Sequence, residues 1–203
     1  YSAANPLRIA FIHEFPCATS SWDSLHDQGR QYLDEHFGGI VRTEAFEDCH
    51  DPDAFYAAVE TAAKHGANVI FSTSHRLMEY TLRAAVEYPR VRFLNYSIGL
   101  PHQSVRSYFG KMYEAKFLLG ALAASMADNH RIGYHASVFA SGALSEINAF
   151  AIGASLRDPR AQVILTWGDV PAGGLAEAMC REGVSVMTGA DMSKSLEDPT
   201  AYG

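Results

Sequence analysis

Short apolar runs alternate with amphipathic stretches along the chain, and this alternation predicts strands separated by helices. The first series of apolar runs lies at 7–13, 40–46, 68–72, 91–96 and 104–109, and the second at 131–135, 162–167 and 184–188. Helices of ten or more residues between such strands are typical of parallel βαβ units, so we expect an α/β fold. The strands are apolar enough for sheets that are covered on both faces.

Local start and stop signals delimit the helices. Side chains that can cap a helix N-terminus precede three of the amphipathic stretches, and glycine or proline follows them. The capping candidates are Ser20 or Ser21, Asp51 followed by Pro52, and Ser74. We therefore expect helices over 22–36, from Asp51 to about 65, and over 76–87.

The helix predicted over 111–127 has a different composition. It is apolar nearly all the way round, and small residues recur along it. A helix without a polar face is usually buried, so we expect this one to lie inside the protein. Its first turn is polar, with Tyr113, Glu114 and Lys116, which suggests a cleft there.

The pattern of the first half of the chain returns in the second half. RIGYH at 131–135 resembles RIAFIH at 8–13, and AMCREGVSVMT at 178–188 resembles AAKHGANVIFST at 62–73. This predicts a duplicated β-α-β-α-β unit with a period of about 120 residues. We expect a first α/β lobe over 1–110, a connecting helix over 111–130 and a second α/β lobe over 131–203. The second copy is shorter, so we expect that it lacks C-terminal elements.

Composition excludes several classes of function. The chain of 203 residues has a formal net charge of −7 and no basic run, which argues against nucleic acid as a partner. It contains no stretch of 18 apolar residues, so we expect no transmembrane helix. It begins YSAANPL, without Met or an apolar signal region, and we expect a processed or trimmed product.

Cysteine and histidine spacing gives no metal-binding pattern. The three cysteines, Cys17, Cys49 and Cys180, form no CxxC, and the nine histidines form no HExxH. We therefore expect unpaired, mostly buried thiols and no metal site.

Ligands of doubly wound sheets bind beyond the carboxyl ends of the strands. This rule places 14–22, 73–76, 136–148 and 167–171 at a shared cleft. Trp22 could stack on a planar ring, and Asp23 or Glu114 could accept hydrogen bonds from ring N–H groups or sugar hydroxyls. The predicted ligand-binding residues are Trp22, Asp23, His26, Ser74, His75, Tyr113, Glu114, Asn148 and Trp167.

Each of these residues also has a simpler structural interpretation. Trp22 could anchor the first helix in the core, Glu114 could be an exposed acid at a helix start, and Asn148 could make a backbone or cap hydrogen bond. His26 and His75 could make ordinary hydrogen bonds. The sequence has no GxSxG, P-loop or GxGxxG, so we expect neither an enzyme nor a bound cofactor.

Several motifs resemble the basic-membrane-protein family of substrate-binding proteins, also called purine-nucleoside-receptor-like lipoproteins. The matches cover about residues 7–190 in the expected order. They are WDSLHDQG at 22–29, FSTS at 71–74, YFGKMYEA at 108–115, INAF at 147–150 with Gly153, and Thr166–Trp167.

The resemblance implies a type I periplasmic-binding fold with a purine or purine nucleoside between two lobes. It also implies a location outside the cytoplasmic membrane, a lipid anchor, and delivery of the ligand to the permease of an ABC transporter. Thr19, Asp23, His75 and Met112 depart from the family pattern, and the family's late ribose-binding Asp and Lys have no counterpart. The match is nearer to the branch that binds a free base such as adenine.

Three functional hypotheses follow. The first is a non-catalytic protein that binds a purine-like ligand for uptake, with a homodimer as a further expectation because the second sheet ends in an open edge. The second is a ligand-sensing or regulatory domain of a larger signalling protein. The third is an enzyme such as a nucleoside hydrolase.

Overall fold

The structure, a computed structural model, describes residues 1–97, 103–136, 142–168 and 172–188. The chain divides into two compact units, one built on Tyr1–Phe109 and the other beginning at Gly110. The lobe boundaries and the separate connecting helix of the sequence analysis stay predictions. Residues from 189 onward, where the second copy was expected to stop short, lie outside the described residues.

The first unit is a parallel five-stranded sheet with helices between its strands, in the order β2-β1-β3-β4-β5. A short 3-10 helix, His75–Leu77, precedes α3. In chain order the elements are β1 Leu7–Ile12, α1 Ser21–Phe37, β2 Val41–Phe46, α2 Pro52–Lys64, β3 Val69–Ser72, α3 Met78–Glu87, β4 Arg92–Tyr96 and β5 Val105–Tyr108.

The predicted caps are present and explain where the helices begin and end. The Ser20 hydroxyl accepts a hydrogen bond from the Asp23 N–H at 3.2 Å, and the Asp51 carboxylate accepts one from the Ala54 N–H at 2.9 Å. Each bond satisfies a backbone donor that a helix N-terminus otherwise leaves free. After α2 the chain passes through Gly66 at φ +81°, a conformation that favours glycine.

Alternate residues of β1 face the two sides of the sheet. Ala10 and Ile12 pack with Phe55 of α2 and Phe93 of β4 in the larger core. Ile9 and Phe11 lie in a separate cluster against which Leu33 of α1 packs. The sheet is therefore covered on both faces, and the predicted α/β fold is confirmed.

The second unit repeats the arrangement of the first three strands. Its three-stranded parallel sheet has the order β7-β6-β8, in which the first strand of the unit is central, as β1 is between β2 and β3. In chain order the elements are α4 Met112–Met126, β6 Arg131–Ala136, α5 Ala143–Arg157, β7 Gln162–Trp167, α6 Ala172–Arg181 and β8 Val186–Thr188.

The burial expected for α4 is wrong. Leu118 is 67% exposed and Leu122 is 55% exposed, whereas Gly120, Ala123 and Ala124 are the residues that face inward. Close backbone contact is the reason: a Cβ on Gly120 would overlap the carbonyl oxygen of Phe150 in α5. The small residues form the packed face of α4, and the large apolar residues point away from it.

The cysteines are free, as expected, but they are not mostly buried. Cys49 is buried, Cys17 is half-buried and Cys180 is exposed. None of the helices in the described ranges combines the length and the apolar composition that crossing a membrane requires.

Candidate functional site

An aromatic cluster lies at the carboxyl ends of β4 and β5 in the first unit. The rings of Trp22 and Tyr96 lie 4.5 Å apart edge to face, and those of Trp22 and His26 lie 4.7 Å apart. Tyr96 and Tyr108 are paired in register as the last residues of their strands, with ring centroids 5.6 Å apart. All four side chains are half-buried, so the cluster keeps part of its aromatic surface accessible.

The first turn of α1 positions Trp22 over the end of β3. Its indole Nε1–H donates to the backbone carbonyl of Thr73 at 2.7 Å. This hydrogen bond anchors the half-buried indole, in agreement with the structural interpretation of Trp22. That its ring stacks on a ligand stays a prediction.

Asp23, the next residue, is 1% exposed and joins three segments of the first unit. Its carboxylate accepts from the hydroxyl of Ser20 at 2.7 Å, from the hydroxyl of Thr73 at 2.8 Å and from the Phe15 N–H at 3.3 Å. In this conformation Asp23 positions the start of α1. That it contacts a ligand directly stays a prediction.

The surroundings of Asp23 favour its ionised form. Burial alone would raise the pKa of this carboxyl, but the neighbouring His13 and the hydroxyls of Ser20 and Thr73 outweigh burial, and the pKa is lowered. A buried carboxylate with several donors is stabilised in this way.

The cluster also contains a polar group without a partner. The Tyr108 hydroxyl is buried, and no hydrogen-bond partner for it exists in the described part of the chain. Burial, Tyr96 and Asp23 raise the pKa of Tyr108, so its O–H remains a donor at neutral pH. Burial also lowers the pKa of His26, whose Nδ1 lies 2.9 Å from the Trp22 carbonyl, and this favours a neutral ring.

Ser74 and His75 follow β3 and begin the next helical segment. The hydroxyl of Ser74 accepts from the Arg76 N–H at 3.2 Å, and its carbonyl accepts from the Asn95 amide at 2.9 Å. Ser74 is buried and caps the 3-10 helix, whereas His75 is half-buried. Burial and then Arg76 lower the pKa of His75.

The remaining predicted site residues belong to the second unit. Tyr113 and Glu114 lie in the first turn of α4, where Tyr113 is half-buried and the exposed Glu114 carboxylate lies 3.6 Å from the ammonium of Lys111. Asn148 is an exposed residue of α5, and Trp167, the last residue of β7, is 40% exposed. Part of the predicted cleft stretches, residues 137–141 and 169–171, lies outside the described residues.

The sequence analysis did not include Thr73, Tyr96 or Tyr108 among the site residues, although Thr73 and Tyr96 contact Trp22, and Tyr108 contacts Tyr96 and His26. Tyr96 ends one apolar run and Tyr108 is the next-to-last residue of another, so their position at the carboxyl edge beside 73–76 was a usable signal. It also missed a group with the composition of a metal site, His13, Cys17 and Asp27, because the spacing matches no short motif.

Two curated relatives of the chain are named as binding proteins. A purine-binding protein of Brucella abortus is 27% identical over 191 residues, covering 92% of this chain and 55% of that protein. A putative ABC transporter glucose-binding protein of Haloferax volcanii is 27% identical over 191 residues, covering 92% of this chain and 48% of that protein. The chain thus spans about half the length of these relatives.

Solved structures share the fold. A solute-binding protein of an ABC transporter system from Conexibacter woesei aligns with a TM-score of 0.70 at 16% identity, covering 92% of this chain and 64% of that one. A solute-binding protein from Aeropyrum pernix aligns with a TM-score of 0.72 at 16% identity, covering 93% of this chain and 55% of that one. A transcriptional activator of the comK gene from Bacillus halodurans aligns with a TM-score of 0.73 at 18% identity, covering 89% of this chain and 62% of that one.

These likenesses confirm the type I periplasmic-binding fold that the motifs implied, with a partial second lobe. A model of the PnrA-like ABC transporter substrate-binding proteins matches residues 7–196, which is most of the chain. The motifs at 22–29, 71–74, 108–115 and 147–150 all lie inside the matched region. The chain therefore belongs to the family of PnrA-like ABC transporter substrate-binding proteins.

Proposed function

We propose that this chain is the ligand-binding part of an extracytoplasmic substrate-binding protein that captures a purine, most simply a free base such as adenine, for ABC-type uptake. The protein acts by binding and performs no catalysis. The observation that carries the proposal is the half-buried cluster of Trp22, His26, Tyr96 and Tyr108 at the carboxyl edge of the first sheet.

The chemistry of the cluster suits a planar heterocycle. Stacking of a base on an aromatic side chain contributes about 1–3 kcal/mol. The half-buried Trp22, held by its hydrogen bond to Thr73, is the proposed stacking partner. A purine also carries ring nitrogens that accept hydrogen bonds, and the Tyr108 hydroxyl is a donor that has no partner among the described residues. The name of the Brucella relative supports the same ligand class.

A sugar is the competing ligand, because the Haloferax relative is named as a putative glucose-binding protein. Aromatic side chains also pack on sugar rings, but a hexose presents many hydroxyls that need polar partners. The Asp23 carboxylate, the one acid among the predicted first-unit contacts, is already engaged by three donors. The cluster therefore favours the purine.

Isothermal calorimetry with adenine, guanosine, inosine and glucose tests the proposal. We expect adenine to bind with the highest affinity, and Trp22→Ala to weaken it by roughly 10- to 100-fold through loss of stacking. Affinities of about 1 mM or weaker for all three purines, or tighter binding of glucose, would reject a purine ligand.

Tyr32→Ala is the matched control. Tyr32 is an exposed aromatic residue of the same helix, and its ring stacks on His36 at 3.8 Å, outside the aromatic cluster. It should leave the adenine affinity unchanged. An equal loss in both variants would mean that the effect of Trp22→Ala comes from a damaged helix.

The proposal extends to the remaining predicted contacts and partners. Asp23, Ser74, His75, Tyr113, Glu114, Asn148 and Trp167 are proposed as further ligand-contact or positioning residues, each testable by alanine substitution in the same assay. The permease of an ABC transporter and a membrane anchor are supported only by the family, and a homodimer only by the open sheet edge that the sequence predicts. Co-purification with the permease and light scattering test the two protein partners.

A further inference from the structure

Three side chains of metal-binding type converge at the carboxyl end of β1 and the first turns of α1. His13, Cys17 and Asp27 each offer one ligand atom, and these atoms all lie within 4.8 Å of one another. An imidazole nitrogen, a thiolate sulfur and a carboxylate oxygen are the three ligand types that proteins use for zinc. The group is not used by the purine proposal.

His13 provides an independent indication of a ligand. Its side chain is completely buried, and within the described ranges neither ring nitrogen has a hydrogen-bond partner. Its Nε2 lies 3.9 Å from a carboxylate oxygen of Asp27, and its Nδ1 lies 3.4 Å from one of Asp23. Leaving a buried polar group without a partner costs free energy, so we expect each ring nitrogen to interact with a ligand or with a neighbouring side chain.

The electrostatics of the site favour a cation. Three carboxylates surround the group: Asp23 and Asp27 face the two ring nitrogens of His13, and Glu47 accepts the backbone N–H of Cys17 at 2.8 Å. The opposing positive group is Arg30, which pairs with Asp27, and Gln31 donates to the other carboxylate oxygen at 2.7 Å. One carboxylate can keep these donors and still present an oxygen to a metal.

We propose that His13, through Nε2, Cys17 and Asp27 bind a zinc ion, with a water as the fourth ligand. The Nδ1–H of His13 then donates to Asp23, which gives the carboxylate–histidine–zinc arrangement that orients many metal-bound imidazoles. Arg30 and Gln31 hold the Asp27 carboxylate in the same way from the other side.

The size of the site fits after a small movement. Zinc bonds of about 2.0–2.3 Å place tetrahedral ligand atoms roughly 3.5 Å apart. The group must therefore contract by about 1 Å, because its atoms now lie within 4.8 Å of one another. Cys17 can supply this movement because it lies in the loop between β1 and α1 and is half-buried.

Zinc and cobalt titrations of chelator-treated protein test the proposal. We expect one zinc per chain, displacement of the Cys17 proton so that affinity rises with pH, and a near-ultraviolet thiolate charge-transfer band when Co²⁺ is bound. Cys17→Ser should abolish that band, and Cys17→Ser and Asp27→Asn should each weaken zinc by about 100-fold or more, since even outer partners are worth 10–100-fold.

Cys180→Ser and His50→Gln are the matched controls, because both residues are exposed and lie outside the group. They should leave the zinc affinity and the cobalt spectrum unchanged. Circular dichroism in the presence of chelator shows which variants are folded. If Cys17→Ser does not fold, the zinc affinity of Asp27→Asn provides the test. No zinc binding, cobalt binding without the thiolate band, or unchanged affinity in a folded Cys17→Ser or Asp27→Asn protein would overturn the proposal.

Discussion

Trp22 and Asp23 are adjacent in sequence but occupy opposite environments. Successive residues of a helix point about 100° apart, so the indole of Trp22 remains half-exposed while the Asp23 carboxylate turns into the protein. Both reach Thr73, one through the backbone carbonyl and the other through the hydroxyl. The indole of Trp22 is therefore held beside a buried polar group one residue away.

The Tyr108 hydroxyl should matter more for binding than for stability. Tyr108→Phe removes a buried hydroxyl that has no partner in the described structure, so the free energy of unfolding should stay constant or rise by up to about 1 kcal/mol. The affinity for adenine should fall by about tenfold, because a net hydrogen bond to the ligand is lost. Chemical denaturation and calorimetry of the same sample measure the two effects.

Tyr56→Phe is a close control for this prediction. Its hydroxyl is likewise buried without a partner among the described residues, but its ring packs on Phe55 and Tyr80 in the core beneath α2. It should give a similar stability effect with unchanged affinity. If Tyr108→Phe binds adenine as the natural chain does, the Tyr108 hydroxyl has no role in recognition.

The buried carboxylate of Asp23 should make stability depend on pH. Because the pKa of Asp23 is lowered below its ordinary 3.8, ionised Asp23 stabilises the fold above that value, and this contribution is lost as pH falls through the folded-state pKa. Asp23→Asn should therefore cost about 2 kcal/mol at neutral pH, and its deficit relative to the natural chain should shrink below about pH 4. Urea unfolding between roughly pH 3 and pH 7 measures the deficit on both sides of this change.

Asp53→Asn provides the comparison, because Asp53 is an exposed residue in the first turn of α2. Its effect should stay within about 0.5 kcal/mol at every pH. If the stability deficit of Asp23→Asn relative to the natural chain is the same at every pH, the charge of Asp23 does not contribute to stability and only the shape of its side chain does.

Among the elements, those with strong local signals were predictable and those defined by contacts were not. The capped helix α2 and the apolar strand β1 match their predicted bounds within one or two residues. The reason is that a helix cap and a run of strand-forming residues act on the neighbouring backbone alone. The segment after Ser74 differs: a helix was expected from Arg76, whereas a 3-10 turn precedes α3 at Met78. The exposure of the leucines of α4 could not be predicted, because it depends on the contact of Gly120 with Phe150, which belongs to another helix, α5.

The contact between α4 and α5 is made by two glycines in a reciprocal way. A Cβ on Gly120 would overlap the carbonyl oxygen of Phe150, and a Cβ on Gly153 would overlap that of Phe117. Backbone atoms cannot move aside as the end of a flexible side chain can. The two helices thus approach to a distance that only glycine permits at these positions.

Gly120→Ala should therefore destabilise the second unit, although alanine is the better helix former. Overpacking typically costs about 1–3 kcal/mol, which exceeds the gain of about 0.5–1 kcal/mol from replacing a helical glycine. Hydrogen exchange measured by mass spectrometry should show faster exchange in α4 and α5.

Gly29→Ala in α1 is the control, because a Cβ there would meet nothing within 4 Å. It should stabilise α1 by about 0.5–1 kcal/mol and slow its exchange. Equal protection of α4 in Gly120→Ala and the natural chain would mean that the two helices lie farther apart than the structure places them.

For the whole molecule, the duplication seen in the sequence reappears in matching details of the two units. Gly66 after α2 and Gly183 after α6 both have positive φ, at +81° and +70°. The side chain of Arg8 lies beside Gly66, and that of the equivalent Arg131 lies beside Gly183. The same sequence positions thus end a helix beside the first strand in both copies, which is why the repeat could be recognised from the sequence.

Neither the sequence duplication nor the pattern of apolar strands predicts how accessible each thiol is. The reactivity of the three cysteines therefore tests the packing of both units. Thiol reagents attack the thiolate, so reactivity falls with burial and with a raised pKa. Cys180 in the second unit is exposed, whereas Cys49 in the first is 3% exposed and its pKa is raised to about 11, by burial and then by Asp48 and Asp51.

Alkylation in the presence of a chelator, followed by peptide mass spectrometry, should therefore modify Cys180 first, and Cys17 and Cys49 more slowly, because the pKa of both of these thiols is raised, chiefly by burial. Unfolding in urea should remove the order, because it arises from the fold and not from the neighbouring sequence. The backbone N–H of Cys49 donates to the carbonyl of His13 at 3.0 Å, so slow alkylation of Cys49 indicates that the segment after β2 stays bound to the segment after β1. Alkylation of Cys49 in the native protein at the rate of Cys180 would show that these segments separate and that the burial of Cys49 is not maintained in solution.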